Sequence, residues 1–341
     1  MKIFQEIQSA QGTIGAGQLN TNASRPFIDK KGQSCVIVNG KKFVVNVPAT
    51  LRYDEWKDID RTVVAVATER LVGIADLISH GLTHNLGSVG RTISLWDKSS
   101  DMTPANVSMS GVTEGDQDRL AFESASVPVP IVHKDFIINL RNLEASRLAG
   151  EALDVLAPNV AGRVVAEKSE DLLFSTSTIQ VDGGIIYGYL NNPQRNTVSL
   201  ALVWDHATAV GADILDDVQQ MLTAARDDNF HGPFMLYIPG EYETALDDDF
   251  DFTSADTRTT RERIMQLNGI MGIQVADRLA NANVVLVQMT VDVVDLAMAQ
   301  DITTIQWESK GGMQQNFKVM AVWVPRTKSD YDGKSGIVHL S

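Results

Sequence analysis

Three carboxylates lie close together in AEKSEDLLF, the segment at 166–174. Residues three and four apart are neighbours on a helix surface, so a helix here would place Glu167 beside Glu170 and Asp171. Such a group can hold a divalent cation or supply a general acid and a general base. It can equally form the solvent-facing side of a structural helix.

Two cations in the same region favour the structural interpretation. Arg163 lies four residues before Glu167, and Lys168 lies three residues before Asp171. Each pair can meet on the helix surface, and no histidine or glycine-rich loop lies near the acids in the sequence. We therefore predict that the three carboxylates face away from the packed side of a long structural helix that ends at about Phe174 and has no catalytic role.

The other reactive residues lack the spacing that their chemistry requires. His80 and His84 have the separation of a helical zinc pair, but Gly81 between them is expected to end the helix. The acidic run DDDFDF at 247–252 lacks the glycine and glutamate of an EF-hand loop, so we predict a solvated acidic loop. The glycines of GTIGAG at 12–17 lack the spacing of a dinucleotide site. The sequence predicts no catalytic residue, no metal and no cofactor.

The composition is that of a folded protein with a polar surface. Of the 341 residues, 44% are hydrophobic and 21% are charged. Lys and Arg number 29 against 43 Asp and Glu, a net charge of −14, which argues against a large basic face for nucleic acid. No apolar run reaches the roughly 20 residues that span a bilayer, so no membrane partner is predicted. Cys35 is the single cysteine and cannot form an internal disulfide, which favours a cytosolic origin.

An arm, a hairpin and a helix are predicted for the first quarter of the chain. Residues 8–33 have no hydrophobic period and indicate an extended arm. Asn39-Gly40 between two β-rich runs predicts a type I′ hairpin. Its strands are predicted at 34–38 and 41–47. From Tyr53 onward, apolar residues recur with a helical period as far as Gly81, which predicts one helix.

A long polar insert follows that helix. Two strand-like ends, at 91–96 and 119–126, are separated by about twenty turn-forming residues. A loop of this length has a place in a compact domain only as a functional arm or a disordered segment. The chain continues as a strand at 127–139, whose prolines restrict it to a sheet edge or to an extended entry. A short helix at 143–156 and the long helix to Phe174 follow.

The second half alternates between amphipathic helices and buried strands, which predicts an α/β layer. The clearest helix is 211–227, and the clearest strands are PFMLYIP and NVVLVQM. The last fifty or so residues are predicted as strands joined by glycine-bearing turns.

The order of these parts resembles the major capsid protein of tailed bacteriophages, whose fold bacterial encapsulins share. DEWKDIDRTVVAVATERLVG at 54–73 is similar to the N-terminal helix of encapsulins. VPVPIVHKDFIINLRNLEAS at 127–146 is similar to the segment where their extended loop returns to the body. VAEKSEDLLFSTSTIQVDGGIIYGY at 165–189 resembles the long spine helix and its exit, and GPFMLYIPGEYETAL at 232–246 resembles the central strand and helix of the axial domain. The resemblance runs from about residue 51 to the end.

The resemblance implies an α+β fold with an N-terminal arm, an extended β-loop, a peripheral domain with a long spine helix, and an α/β axial domain. The implied boundaries are 1–50 for the arm and hairpin, 51–86 for the N-terminal helix of the peripheral domain, 87–127 for the extended loop, 128–178 for the peripheral domain with its spine helix, 179–289 for the axial domain and 290–341 for the C-terminal strands of the peripheral domain.

Two sets of residues carry the implied contacts. The extended loop would contact an adjacent subunit through Arg91, Trp96, Asp97 and Lys98. The spine helix would carry Arg163, Glu167, Glu170, Asp171 and Phe174, with one side packed and the other facing solvent or a neighbouring subunit.

The function implied by the resemblance is structural and not enzymatic. Copies of the chain would assemble in the host cytoplasm as hexamers and pentamers of an icosahedral shell, the capsid of a virion enclosing double-stranded DNA without sequence-specific binding. A portal protein is an implied partner, with scaffolding or decoration proteins as further candidates. The alternative is an encapsulin-type compartment that holds a cargo enzyme. The arm at 1–50 and the insert are both longer than is usual in encapsulins, which favours the viral capsid.

Overall fold

The computed structural model describes residues 27–29, 32–38, 41–44, 51–109, 117–149, 156–250 and 258–341. Near the N-terminus, β1 (Phe27–Ile28), β2 (Ser34–Val38) and β3 (Lys41–Val44) form an antiparallel sheet in the order β1-β2-β3. The two predicted hairpin strands are therefore confirmed. The predicted Asn39-Gly40 turn and the arm up to residue 26 lie outside the described residues.

Two helices follow where the sequence predicts one. Helix α1 spans Tyr53–Arg70 and is capped at its C-terminus by Leu71. Helix α2 spans Gly73–Ser79 and begins two residues after that cap. The prediction of a single helix was wrong because the apolar period continues through the break, which therefore leaves no signal in the pattern. Gly81 follows α2 with a φ of +71°, a left-handed conformation that ends the helix as predicted.

A four-stranded sheet contains the longest strands. It consists of β4 (Thr83–Asn85), β7 (Ile131–Asn139), β14 (Val294–Ser309) and β15 (Gln314–Thr327) in the order β4-β14-β15-β7. Strand β4 runs parallel to β14, and the other pairs are antiparallel. The predicted strand at 127–139 is divided in the structure, because Val127 and Pro128 end β6 and the strand β7 begins only at Ile131. Strand β7 does lie at an edge of the sheet, but neither proline belongs to it. Strand β4 was not predicted.

Two further helices come between β7 and the second half. Helix α3 (Leu140–Ala149) is short, and α4 (Leu156–Phe174) is the predicted long helix, with Pro158 in its first turn. Helix α4 packs closely on α1, since a Cβ at Gly162 would lie only 3.3 Å from the Cα of Val63. Glycine at this position therefore allows the two helix backbones to approach each other.

One core lies between these helices and the four-stranded sheet. Trp56 of α1 packs edge-on against Phe317 of β15, with ring centroids 6.0 Å apart. Phe136 of β7 stacks on Phe317 at 4.9 Å. Buried aromatic pairs of this kind add to the free energy gained from apolar burial.

A two-stranded ribbon projects from this body. Strands β5 (Ile93–Ser99) and β6 (Phe122–Pro128) pair along their whole length, from Ile93 opposite Pro128 to Ser99 opposite Phe122. The prediction of a long insert with two strand-like ends is confirmed. A short hairpin of β8 (Ile179–Val181) and β9 (Gly184–Ile186) follows α4.

A five-stranded sheet forms the second core. Its strands are β10 (Asn196–Val198), β11 (Phe234–Ile238), β12 (Ile270–Val275), β13 (Val284–Gln288) and β16 (Ile337–Leu340), in the order β10-β16-β13-β11-β12. Its helices are α5 (Gly211–Asp227), α6 (Glu243–Asp247) and α7 (Thr260–Met265). The helix predicted at 211–227 and the two buried strands are confirmed.

The last strand departs from the predicted grouping. The sequence assigns 290–341 to one set of strands. Strands β14 and β15 are in the four-stranded sheet, but β16 pairs with β13 and β10 in the five-stranded one. All four of its residues are buried. A strand buried on both faces needs the interior of a covered sheet, and the interior of the five-stranded sheet supplies it. The division of the whole chain into domains otherwise stays a prediction.

The fold is therefore α+β, and the described residues form two hydrophobic cores around the four-stranded and five-stranded sheets. None of the helices in the described part of the chain is long and apolar enough to cross a bilayer.

Candidate functional site

The ribbon of β5 and β6 turns one face toward its own body. Trp96 is half-buried there, and the Lys98 ammonium donates hydrogen bonds to Ser329 Oγ at 2.5 Å and to Gln194 Oε1 at 3.4 Å. A cavity of about 190 Å³ remains between the ribbon and the segments near Asn192 and Pro325. The ribbon base is thus docked on the subunit to which it belongs.

A buried ion pair anchors this docked face. The Arg326 guanidinium of β15 holds both carboxylate oxygens of Asp295 in β14, with Nε to Oδ1 at 2.6 Å, and also donates to Ser94 Oγ of β5 at 3.3 Å. Lys328 donates to the same carboxylate at 2.8 Å. Arg326 and Asp295 are almost completely buried. This ribbon anchor, formed by Ser94, Asp295, Arg326 and Lys328, joins the ribbon to the four-stranded sheet.

The positive charge of Arg326 in the anchor interacts with two neighbouring side chains. The Arg326 guanidinium lies 5.8 Å from the centroid of the Trp96 ring, within the range of a cation–π contact. His84, the middle residue of β4, has a lowered pKa, first because of desolvation and then because of the positive charge of Arg326. The anchor could not be predicted from the sequence, because Asp295 and Arg326 are more than thirty positions apart in the chain.

The opposite face of the ribbon is exposed and carries three large apolar side chains beside Asp97, Ser99, Ser124 and Ser126. Side chains alternate between the two faces of a strand, so Ile93, Leu95 and Phe122 share the face that points away from the body. They are 54%, 66% and 70% exposed, respectively. Such a surface on a two-stranded ribbon is typical of a contact with another molecule.

The four predicted loop residues divide between these two faces. Trp96 and Lys98 contact their own chain, as described above. Asp97 lies on the exposed face, where its carboxylate accepts a hydrogen bond from Ser124 Oγ at 2.6 Å. Arg91 is exposed just before β5. That these residues contact an adjacent subunit stays a prediction, and Asp97 and Arg91 are the two with free access to one.

Two of the three carboxylates on α4 have the local partners that the sequence predicts. Glu167 lies 3.5 Å from Arg163, and Asp171 lies 3.5 Å from Lys168, so both predicted ion pairs are confirmed. Asp171 also accepts a hydrogen bond from Arg278 at 2.7 Å. Exposed pairs of this kind add about 0–1 kcal/mol each to stability.

The third carboxylate, Glu170, is buried, and the prediction that all three share a solvent-facing side was wrong. Its side chain is 2% exposed. Its oxygens accept hydrogen bonds from the backbone N–H of Gly73 at 3.1 Å and of Ile74 at 3.0 Å. Glu170 therefore caps the first turn of α2 and joins the two helices, which explains why α2 begins at Gly73.

Burial dominates the acid chemistry around Glu170. Desolvation raises the pKa of Glu170 to about 7, opposed by the hydrogen bonds from the backbone N–H groups of Ile74 and Gly73. Asp76 lies nearby and accepts a hydrogen bond from the Tyr237 hydroxyl at 3.1 Å, and burial raises its pKa too. Phe174 closes the group by packing edge-on against Tyr237 at 5.2 Å and Tyr189 at 5.6 Å.

This arrangement holds helices α2 and α4 together, with the Glu170 carboxylate almost completely buried. Within the described residues, no three histidine, cysteine or acidic side chains are placed to hold a metal ion. The ribbon with its anchored face and its exposed apolar face is therefore the candidate functional surface.

A protein family of unknown function, DUF6260, matches residues 46–340. The chain belongs to this family. The type 1 encapsulin shell protein EncA of Myxococcus xanthus (strain DK1622) is 26% identical to it over 300 residues, which cover 84% of this chain and 93% of that protein.

Solved structures of shells share the fold. The virus-like particle from Pyrococcus furiosus matches with a TM-score of 0.60 and 17% identity, over 84% of this chain and 99% of its own. The capsid of Myoviridae phage XM1 matches with a TM-score of 0.61 and 13% identity, over 79% of this chain and 91% of its own. The predicted capsid fold that tailed phages and encapsulins share is thus confirmed.

Proposed function

We propose that this member of the family is a structural shell subunit, and that copies of it assemble into the icosahedral capsid of a tailed phage around double-stranded DNA. The observation that carries the assembly step is the exposed apolar face of the ribbon, with Ile93, Leu95 and Phe122 more than half exposed. The shared fold with phage capsids and an encapsulin supports the same conclusion.

A ribbon of two strands cannot be stable through its own contacts alone, because an isolated hairpin is marginal in water. The ribbon anchor stabilises the base of the ribbon, where Arg326 of the four-stranded sheet donates a hydrogen bond to Ser94 of β5. The outer face still leaves three large apolar side chains in solvent. Burying a fully exposed side chain of this size gains about 1.5–3 kcal/mol, so the remaining exposed part of each would gain roughly 1–2 kcal/mol against a second copy. The ribbon of each subunit would contact the next subunit, and each subunit would bind the ribbon of the one before it. Such a head-to-tail contact closes into a ring when it repeats around an axis.

The further partners follow from the capsid proposal. Hexamers and pentamers would build the shell in the host cytoplasm, the finished protein would reside in the virion, and a portal protein would occupy an opening in the shell. Scaffolding or decoration proteins remain further candidates. The net charge of −14 favours DNA held by packaging and counterions over a specific binding site.

An encapsulin-type compartment around a cargo enzyme is the second candidate. The 26% identity to an encapsulin shell protein over nearly all of that protein favours it. The longer insert and residues 1–45, which precede the family match, favour the phage capsid. The two candidates share the shell and differ in its contents.

Charge on the outer ribbon face tests the assembly step. We expect Leu95→Glu with Phe122→Glu to abolish closed particles in negative-stain microscopy and to leave a folded subunit of 37.2 kDa in sedimentation, because the docked face and the anchor are untouched. Val291→Glu with Met313→Glu, at two apolar residues outside the ribbon that are 57% and 59% exposed, is the matched control and should still form particles. Normal particles from the double variant, or a wild-type chain that stays monomeric at high concentration in several salts, would refute the proposal.

The contents of particles from the native source decide between the two candidates. Nuclease-protected DNA of one defined length is expected for the phage capsid. A stoichiometric second protein with little nucleic acid would establish the compartment instead.

A further inference from the structure

An open cavity of about 700 Å³ lies beside the five-stranded sheet, away from the ribbon. Its walls come from the loop before α5, the first turn of α5, the segment around α6 and the start of α7. The side chains used below are Trp204, Asp205, Glu241, Asp248, Asp249 and Thr260.

The cavity is negatively charged. Asp205, Glu241, Asp248 and Asp249 are exposed acids on its wall, and among the described residues no lysine or arginine lines it. The nearby Arg261 is turned to Asp247, which it contacts at 2.7 Å and which does not line the cavity. The N-terminus of α5 contributes a partial positive charge, of about half a unit. Four carboxylates exceed it, so the cavity attracts cations.

A second, independent feature of the wall is the buried hydroxyl of Thr260. This residue is 1% exposed, and its Oγ1 has no hydrogen-bond partner among the described residues. It lies against Gly211, where an added Cβ would come within 2.6 Å of the hydroxyl oxygen. Leaving a buried hydroxyl unpaired costs about 1–3 kcal/mol. A ligand with N–H groups at this point would remove that cost.

The remaining wall is apolar and aromatic. Trp204 is buried, stacks on Tyr242 with ring centroids 5.2 Å apart, and is held in place by a hydrogen bond from its Nε1 to Asp217 at 2.9 Å. Ala209, Ala212 and Ile214 lie beside it. The acids are spread around this apolar surface, and no metal-binding group of side chains is found in the part of the chain that the structure describes. The ligand is therefore an extended cation and not a compact metal ion.

We propose that this cavity binds an organic cation, an ammonium or guanidinium group on an apolar stem. The N–H groups pair with the exposed acids and the Thr260 hydroxyl, and the stem lies along Trp204. The same chemistry has two sources, a free polyamine or the lysine or arginine side chain of a second copy of this chain. This binding site goes beyond shell formation and does not depend on it.

Titration of the full chain with spermidine tests the site. Unassembled subunits, in the Leu95→Glu, Phe122→Glu background, should bind one spermidine per subunit in calorimetry. Glu241→Gln with Asp248→Asn should weaken that binding by about fivefold, since two surface charge pairs contribute roughly 1 kcal/mol together. Thr260→Val should weaken it as well, with an unchanged net charge.

The matched control removes two acids from the far surface of α5. Asp216→Asn with Asp227→Asn makes the same change in net charge outside the cavity and should leave spermidine binding unchanged. Equal weakening by the control, or the lack of saturable binding to unassembled subunits, would overturn the proposal. Binding that persists in assembled particles identifies a free polyamine as the occupant, and binding lost on assembly identifies a side chain of the neighbouring copy. Because the titration uses unassembled subunits, its outcome is separate from that of the shell proposal.

Discussion

The buried acid Glu170 links α4 to the start of α2, and its ionisation makes the stability of the subunit depend on pH. The ionisable groups that face it, Asp76, Tyr189 and Tyr237, are themselves acids. Its hydrogen bonds come from the backbone N–H of Gly73 and Ile74. Burial therefore raises its pKa to about 7 from an ordinary value of 4.5.

The sign of the pH dependence follows from this raised pKa. Below pH 4.5 the acid is protonated in both states, and above about pH 7 it is ionised in both. Between these values the folded protein keeps a proton that the unfolded chain has released. Stability from this group is therefore full at low pH and is lost as the pH rises toward 7. At about 1.4 kcal/mol for each unit of pKa, the loss is on the order of 3 kcal/mol.

Glu170→Gln should remove this part of the pH dependence. In urea denaturation of the free subunit, the wild-type free energy of unfolding should fall between pH 4.5 and 7.5. The fall over that range should be smaller in the variant by about 3 kcal/mol. Asp76 retains its own contribution of the same sign in both proteins, because burial raises its pKa as well. Glu167→Gln on the same helix is the control and should keep the wild-type slope. Parallel profiles for wild type and Glu170→Gln would contradict the assignment.

The contrast between Glu170 and its neighbours shows which contacts a sequence can predict. The Arg163–Glu167 and Lys168–Asp171 pairs were predictable because both partners lie within one helical turn. The partner of Glu170 is the start of α2, 97 residues earlier in the chain for Gly73. Helical spacing alone places Glu170 beside Glu167 and gives no sign of the cap.

At the scale of elements, local patterns predicted most strands and helices but not the way in which they are joined. The extent of α5 followed from its amphipathic period, whereas the edge position of β7 was predicted from Pro128 and Pro130, which both precede that strand. The break between α1 and α2, the short strand β4 and the sheet that receives β16 all depend on distant partners. The ribbon anchor belongs to the same class, because Ser94 and Arg326 are 232 residues apart.

The anchor should control how firmly the ribbon is attached. Arg326→Leu leaves Asp295 buried with Lys328 as its remaining cationic partner and frees Ser94. Removing one partner of a buried ion pair costs about 3–5 kcal/mol. We expect a lower unfolding midpoint and faster amide hydrogen exchange in β5 and β6, measured by mass spectrometry.

A surface ion pair on the same strand supplies the control for the anchor. Lys318 of β15 lies 3.6 Å from Asp135 and is partly exposed. Lys318→Leu should change the unfolding midpoint little and leave exchange in the ribbon unchanged. If Arg326→Leu also left ribbon exchange at the wild-type rate, the ribbon would be held by its other contacts and the anchor would have no such role.

At the scale of the whole molecule, the charge and the fold point to a container and not to a nucleic-acid reader. The chain carries 43 acidic residues against 29 lysines and arginines. The arginines near the acidic run are largely taken up inside the subunit, with Arg261 on Asp247 and Arg258 on Gln266.

Empty shells and free subunits should therefore bind duplex DNA weakly and without sequence preference. Affinity for DNA comes from clustered lysines and arginines that displace counterions from phosphates, and it falls steeply with salt. A net charge of −14 per subunit opposes such binding over any large surface. In a gel-shift assay between 50 and 200 mM salt, we expect no discrete complex at micromolar protein and the same result for unrelated duplexes, with a small basic DNA-binding protein as the positive control. A tight complex that survives the higher salt and selects one sequence would contradict the container role, because a shell holds its DNA by enclosure and a reader holds it by contact.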